Sequence, residues 1–415
     1  MAVQVTTTLK HEFGRRQGRK NEKLTTLNNN INMCDPADSS QIKAWLFSPD
    51  DLDLCRSRGN RVARKHISSI QKRNKDDGNS GKNSSDTSIE CFARDFAKKK
   101  ATFLDEEEGP MQTEGLDSFL YPEEEALLVS FYASKLPSLI GPMAQLPRLR
   151  RDSKLPATAA MLLRRFYLSN SVMIHDPKAI MVGAAFLAAK VEDAMTDYRY
   201  LEEGTNLMNS PVTLSEIIPA EVSLLSGINF ELLCFHPYKA VLAITEDLRT
   251  YLKSEKGRCL VKFGNGSDRR IVGKDLMPMH DAAHSIVNDV IVSDIPLLYT
   301  PGQIGLAALM VANEKQEGRE NIPQVDILGY LSHKFEEVKI PQMRSLLHEI
   351  CTKLHELKEG KHGCASHKVD MQKLKGIHKK LKKCRIWGIK KKKKRKNASG
   401  EEIFEKNKRA KISSD

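Results

Sequence analysis

The stretch DPKAIMVGAAFLAAK, residues 176–190, decides the fold. Asp176 is a good helix cap, and Pro177 suits a first turn, where a missing N–H costs nothing. The apolar run 180–189 then covers ten residues before Lys190 stops it. A membrane span needs roughly 20. A helix that is apolar nearly all round is a buried one, and Gly183, Ala184, Ala185, Ala188 and Ala189 let neighbours approach it closely. The stretch therefore predicts the central helix of an all-helical bundle.

The same pattern recurs. Thr300-Pro301 is followed by Ile304, Ala308 and Ala312, each 124 residues after Pro177, Ile180, Ala184 and Ala188 in turn. Two related bundles, each wrapped around an Ala-rich helix, follow from this repeat. The copies differ at their exits, where Lys190 in the first is set against Asn313 in the second.

Outward from these helices, the periodicity predicts further helices over 121–136, 157–168, 212–225 and 231–236 in the first group. In the second it predicts 238–252, 279–291 and 342–357. A Pro-rich connection (137–156) and a polar, Gly-containing insertion (253–275) separate some of them. No stretch alternates apolar and polar residues long enough to predict a sheet. Upstream, AWLFSPDDLDLCRSRGNRVARKHI (44–67) reads as one helix, with Ser48 as cap and Pro49 at the first position. Trp45 and Phe47 precede that cap as anchors for a neighbouring surface.

Charge is distributed unevenly. Of the net +13, residues 365–415 carry +14 and residues 1–104 carry +8, while 105–364 carry −9. An acidic body thus bears two basic arms, whereas a fold that grips nucleic acid should itself be basic. With 40% hydrophobic residues the chain can build a core. Eight scattered cysteines without a CxxC point to a reducing compartment, and the N-terminal residues lack a secretory pattern. The expectation is a soluble intracellular protein. It divides into a disordered arm (1–41), an N-terminal helix (42–66), a low-complexity linker (67–119), two bundles (120–236 and 237–357) and a disordered basic tail (358–415).

The run FYLSNSVMIHDPKAIMVGAAFLAAKVED (166–193), followed by AEVSLLSGINFELLCFHPY (220–238), resembles the first repeat of the cyclin family. RRFYLSNSV (164–172), LLYTPGQIGLAAL (297–309) and WLFS (45–48) resemble its cyclin H group in particular. The resemblance covers 42–66 and 120–357. It implies two tandem five-helix cyclin boxes and an extra N-terminal helix packed on the first box. It implies a regulatory subunit, not an enzyme, without a cofactor, that binds and activates a cyclin-dependent kinase of the CDK-activating type. Further implied partners are a RING-finger assembly factor and general transcription factor IIH. The complex would phosphorylate kinase activation loops and the C-terminal repeats of RNA polymerase II. The family's kinase-binding positions fall on Lys190 and Glu221, with apolar contacts at Leu225, Phe230 and Leu232. The Met-Arg-Ala-Ile-Leu patch that recruits substrates to cell-cycle cyclins is missing, and so that docking function should be absent.

The tail holds KKLKKCRIWGIKKKKKRK (379–396). Lys390, Lys391, Lys392, Lys393, Lys394, Arg395 and Lys396 read as a nuclear localisation signal, with at most nonspecific nucleic-acid affinity. Cys351, His355, His362, Cys364 and His367 fit no familiar zinc spacing, and no catalytic motif is present. Two further readings are a TFIIB-like DNA-binding factor, also built of two such repeats, and a C- or T-type transcriptional cyclin. An acidic body and the missing CxxC count against the first; the second changes the partner but not the mechanism.

Overall fold

The computed structural model describes residues 39–76, 118–264, 266, 269–316, 319, 322–335, 340–359 and 371–387. A short helix α1 (Ser40–Trp45) and a long α2 (Pro49–Asp76) lead into the first bundle. That bundle comprises α3 (Pro122–Ala133), α4 (Leu136–Ile140), α5 (Lys154–Ser169), α6 (Pro177–Val191), α7 (Tyr198–Leu207) and α8 (Leu214–Gly227). The second comprises α9 (Pro237–Tyr251), α10 (Met277–Val290), α11 (Pro301–Glu314), α12 (Ile327–Lys334) and α13 (Ile340–Glu359). A last helix, α14 (Met371–Cys384), follows.

The two Ala-rich helices are the axes of their bundles. In α6 every residue from Ile180 to Ala189 except Phe186 is buried, and α3, α5 and α8 pack around it. In α11 Ile304, Ala308 and Ala312 are buried in the same way, among α9, α10 and α13. Asp176 accepts the amide of Lys178 at the start of α6, and Thr300 and Gln303 form a reciprocal cap at the start of α11. Gly183 matters to this packing. A Cβ there would lie 3.0 Å from the Glu221 amide nitrogen and 3.1 Å from the Ala220 carbonyl carbon, so its absence lets α8 lie directly on α6.

The N-terminal helix extends past residue 66 to Asp76 and packs on α3 and α5 of the first bundle, with polar links to the second. Trp45 and Phe47 are both buried, and the Phe47 amide donates to the Leu297 carbonyl of the second bundle at 2.9 Å. Ser48 Oγ accepts the Asp51 amide and caps α2. From α2, Arg56 reaches Asp294, which also pairs with Arg164 of α5, so one carboxylate joins three parts of the fold. Asn60 and Arg64 donate to the Leu120 carbonyl. Asn60 also meets Glu125, whose carboxylate accepts from Ser171 and the Val172 amide as well. Burial nevertheless pushes the Glu125 carboxyl up to about 7.

Four expectations need correction. Residues 231–236 are extended rather than helical, because their backbone groups are taken by side chains: Arg165 takes two carbonyls and Gln41 takes both groups of Phe235. The helix that belongs in that bundle is α7, which buries only Leu201, Gly204 and Thr205 and so offers a single large apolar residue to mark its inner face. The insertion contributes a strand, β1 (Val261–Phe263), antiparallel to β2 (Pro323–Val325). Three residues per strand are too few to reveal alternation. Part of the segment read as a disordered tail is the helix α14, with Leu374, Ile377, Leu381 and Cys384 buried and its lysines outward. Beyond it, the Trp387 indole donates to the Val172 carbonyl at 2.8 Å. Residues 1–38 and most of the linker lie outside the described residues, as do Lys390 to Lys396 of the nuclear signal.

Candidate partner-binding site at the end of the first central helix

Lys190 leaves the buried axis of α6 in its last turn, where a cation is favoured by the helix dipole. Its Nζ lies 2.6 Å from Glu221 Oε1 of α8 and 4.1 Å from the centroid of the Phe186 ring. The two partners differ in access, since the Lys190 side chain is 40% exposed and that of Glu221 only 10%. Glu192, two residues on, accepts from Lys154 and Thr158 of α5. Thr158 in turn meets His236 Nε2 at 2.7 Å. Burial, aided by the positive charges of Lys154 and Arg165, holds that imidazole down to about 3. A neutral, hydrogen-bonded histidine thus closes the floor beneath the exit of α6.

Beside the ion pair, α8 turns apolar side chains outward. Ile218 and Val222 are exposed, and half-buried Leu225 completes a row at i, i+4 and i+7. The row continues into the segment after α8, through exposed Phe230, half-buried Leu232 and exposed Leu233. Phe230 is 67% exposed, and both it and Asn229 have φ near +55°, in the left-handed region. Asn tolerates that region, whereas Phe there costs on the order of 1 kcal/mol or more. The backbone is held so by the Phe230 amide, which reaches back to the Leu225 carbonyl at 3.0 Å. The result is an aromatic ring directed to solvent.

This segment is fixed from behind. Arg165 of α5, wholly inaccessible to solvent, donates to the carbonyls of Glu231 and Leu233 at 3.0 and 3.1 Å. The Trp45 ring covers its guanidinium at 5.0 Å, and the Trp45 indole donates to Glu231 Oε2 at 2.5 Å. The N-terminal anchor therefore braces the same chain segment that presents Phe230 and Leu232.

All five positions expected at the site, Lys190, Glu221, Leu225, Phe230 and Leu232, lie on α6, α8 and the segment just after α8. Sequence reasoning missed Ile218, Val222 and Leu233. Their i, i+4 spacing was a signal, but such a stripe ordinarily marks a core face. A further correction concerns the second bundle. The 124-residue offset sets Glu314, not Asn313, against Lys190; Asn313 is buried and binds both backbone groups of Val325, pinning β2. Glu314 meets His355 instead, and Cys351 packs toward the Ala307 carbonyl, while His362, Cys364 and His367 lie outside the described residues.

An ammonium, a recessed carboxylate and a row of outward apolar side chains have the chemistry of a candidate protein-binding site, since exposed apolar patches mark interaction sites. Residues 236–386 match the model of the cyclin C-terminal domain. The chain is similar to Cyclin-H1-1 of Arabidopsis thaliana (28% identical, covering 47% of this chain and 50% of the relative). It is also similar to Cyclin CCL1 of Saccharomyces cerevisiae (30%; 46% and 42%) and to Cyclin-H of Xenopus laevis (28%; 46% and 53%). The chain thus spans about half the length of the curated relatives it matches. A chain of the CAK complex of Chaetomium thermophilum, solved with ATP-gamma-S, shares the fold at a TM-score of 0.58 and 23% identity, over 84% of this chain and 88% of that one. Residues 236–386 thus carry the cyclin C-terminal domain, and the chain is similar in sequence to the cyclin H proteins.

Proposed function

We propose that the chain is a cyclin H-like regulatory subunit that binds and activates a cyclin-dependent kinase. The observation that carries this reading is the apolar row of exposed Ile218, Val222 and Phe230 with half-buried Leu225 beside the Lys190–Glu221 pair. A kinase of this class works only when a strand lysine pairs with a glutamate on its mobile αC helix. A partner that packs that helix inward shifts the equilibrium toward the active state through differential binding alone, and the subunit needs no catalytic group of its own. Lys190 and Glu221 would anchor the kinase backbone near αC, while the apolar row would hold the helix itself.

The relatives named cyclin H and cyclin CCL1 support a kinase of the CDK-activating type. With it would come a RING-finger assembly factor, general transcription factor IIH, a nuclear location, and phosphorylation of kinase activation loops and RNA polymerase II repeats. The chain is then a regulatory subunit, not the enzyme. The test is to express the tagged chain in its own cells, identify the co-purifying kinase, and assay it with and without the chain. Recovery of a cyclin-dependent kinase whose activity depends on the chain is expected. Recovery of no kinase, or of a kinase equally active alone, would overturn the reading.

A further inference from the structure

Helix α14 has two chemically opposite faces. Leu374, Ile377, Leu381 and Cys384 are buried, whereas Lys375, Lys379, Lys382 and Lys383 are exposed. At 3.6 residues per turn the four lysines fall within an arc of about 100° centred opposite the buried row. Lys380, on the flank, is engaged with Glu124 at 2.8 Å and lies over the Tyr121 ring. The four outer lysines have no carboxylate partner among the described residues. No Asp or Glu occurs between Asp370 and Glu401 to neutralise them.

The face is held in place before any partner arrives. The Ile386 amide donates to the Met173 carbonyl at 3.0 Å, and Trp387 holds Val172, so the C-terminal end of the helix is clamped to the turn between α5 and α6. A rigid array loses less freedom on binding than a mobile tail. It also stands apart from the site at Lys190. The clamp lies just before α6 begins, and Lys190 lies at its other end, about 20 Å away at 1.5 Å per residue.

Protein partners draw most of their affinity from aromatic, arginine and apolar anchors seated in pockets. The centre of this face has none: between the lysines lie Gln372 and Gly376, and the one large apolar side chain, Met371, sits at the first turn. Clustered ammonium groups without apolar anchors suit a phosphate backbone, where affinity comes from counterion release. Duplex DNA, with roughly one charge per 1.7 Å of axis, is a dense and regular source of it. We infer that the outer face of α14 is a sequence-independent docking surface for the phosphate backbone of duplex DNA, formed by Lys375, Lys379, Lys382 and Lys383. The net acidic charge of residues 105–364 disfavours such contacts on the two bundles and leaves the Lys190 site free for its own partner.

The test is fluorescence anisotropy of a short labelled DNA duplex with the full chain, over a range of salt concentrations. The fourfold variant Lys375→Gln, Lys379→Gln, Lys382→Gln, Lys383→Gln should bind about tenfold or more weakly at about 0.1 M salt. Its log K against log salt slope should be shallower by roughly 3 to 4. The matching fourfold Lys→Arg variant should bind as the unmodified chain does. Should the Gln variant unfold, the double variant Lys379→Gln, Lys383→Gln carries the same test with about half the change in slope. Unchanged affinity and slope in the folded Gln variant would overturn the inference, as would equally strong competition by polyglutamate or by phosphatidylserine vesicles.

Discussion

Lys190 Nζ lies 2.6 Å from Glu221 Oε1, an exposed ammonium set against a nearly buried carboxylate. The asymmetry makes the pair a modest contributor to folding and a ready donor to a partner. Lys190→Ala should cost about 1–2 kcal/mol, because it leaves Glu221 recessed without its cation. Glu221→Gln should cost less than about 1 kcal/mol, since the ammonium it releases is open to water. Urea titration of the isolated chain checks both. A loss of 4 kcal/mol or more for either would make the pair structural.

The joint between the bundles is more demanding. Asp294 pairs with both Arg56 and Arg164, and the Arg164 side chain is only 2% exposed. Asp294→Ala strands that guanidinium and should destabilise the fold by about 3–5 kcal/mol. Chemical denaturation should show the drop together with a loss of cooperativity between the bundles. An Asp294→Ala protein as stable as the unmodified chain would show that the triad does not couple them.

Trp45 supports the exposed apolar row from behind, through Arg165 and Glu231. Trp45→Ala removes a buried indole and should cost about 3–5 kcal/mol. It should also loosen the 231–233 segment, because the cover on Arg165 and the bond to Glu231 go together. Hydrogen exchange at Glu231 to Leu233 should accelerate more than at α11, which serves as the internal reference.

Gly183 fixes how deeply α8 sits on α6. A methyl group at this position meets backbone on the opposing helix, which cannot give as a side-chain tip can. Gly183→Ala should destabilise by about 1–3 kcal/mol and displace Glu221 from Lys190. Thermal unfolding measures the first effect, and kinase affinity of the folded protein measures the second.

The buried His236 sets an acid limit. Its folded value, about 3, lies below the ordinary 6.5, so between these the unfolded chain binds the extra proton. The stability that comes from keeping the ring neutral is complete above pH 6.5 and is lost as pH falls toward 3. At its limit the loss is on the order of 5 kcal/mol. His236→Gln should flatten the pH dependence of the urea midpoint between pH 6.5 and 4. An equally steep profile in the variant would assign that dependence to other groups.

Much of this molecule was legible in its residues. The Ala-rich helices announced themselves because a helix approached from every side needs small side chains, and the proline in each first turn located their starts. Lys190 could be placed because it ends an apolar run. Helix α7 was hidden because close packing left Gly204 where a larger apolar residue would have marked the face; a Cβ there would meet Leu149 at 2.7 Å. The apolar row of α14 was masked by the lysines between its members. The outward direction of Ile218 and Val222 depends on which face of α8 Gly183 admits. Nothing local in the sequence specifies the left-handed backbone that turns Phe230 to solvent.

In the proposed complex, the end of α6 and the row beside it hold the kinase. Titration of the purified cyclin-dependent kinase with the unmodified chain and with Lys190→Ala and Phe230→Ala measures this most directly. Phe230 is largely exposed, so its loss should leave folding intact. Each variant should bind at least about tenfold more weakly, or about 1.4 kcal/mol. Two folded variants that bind the kinase as tightly as the unmodified chain would contradict the account.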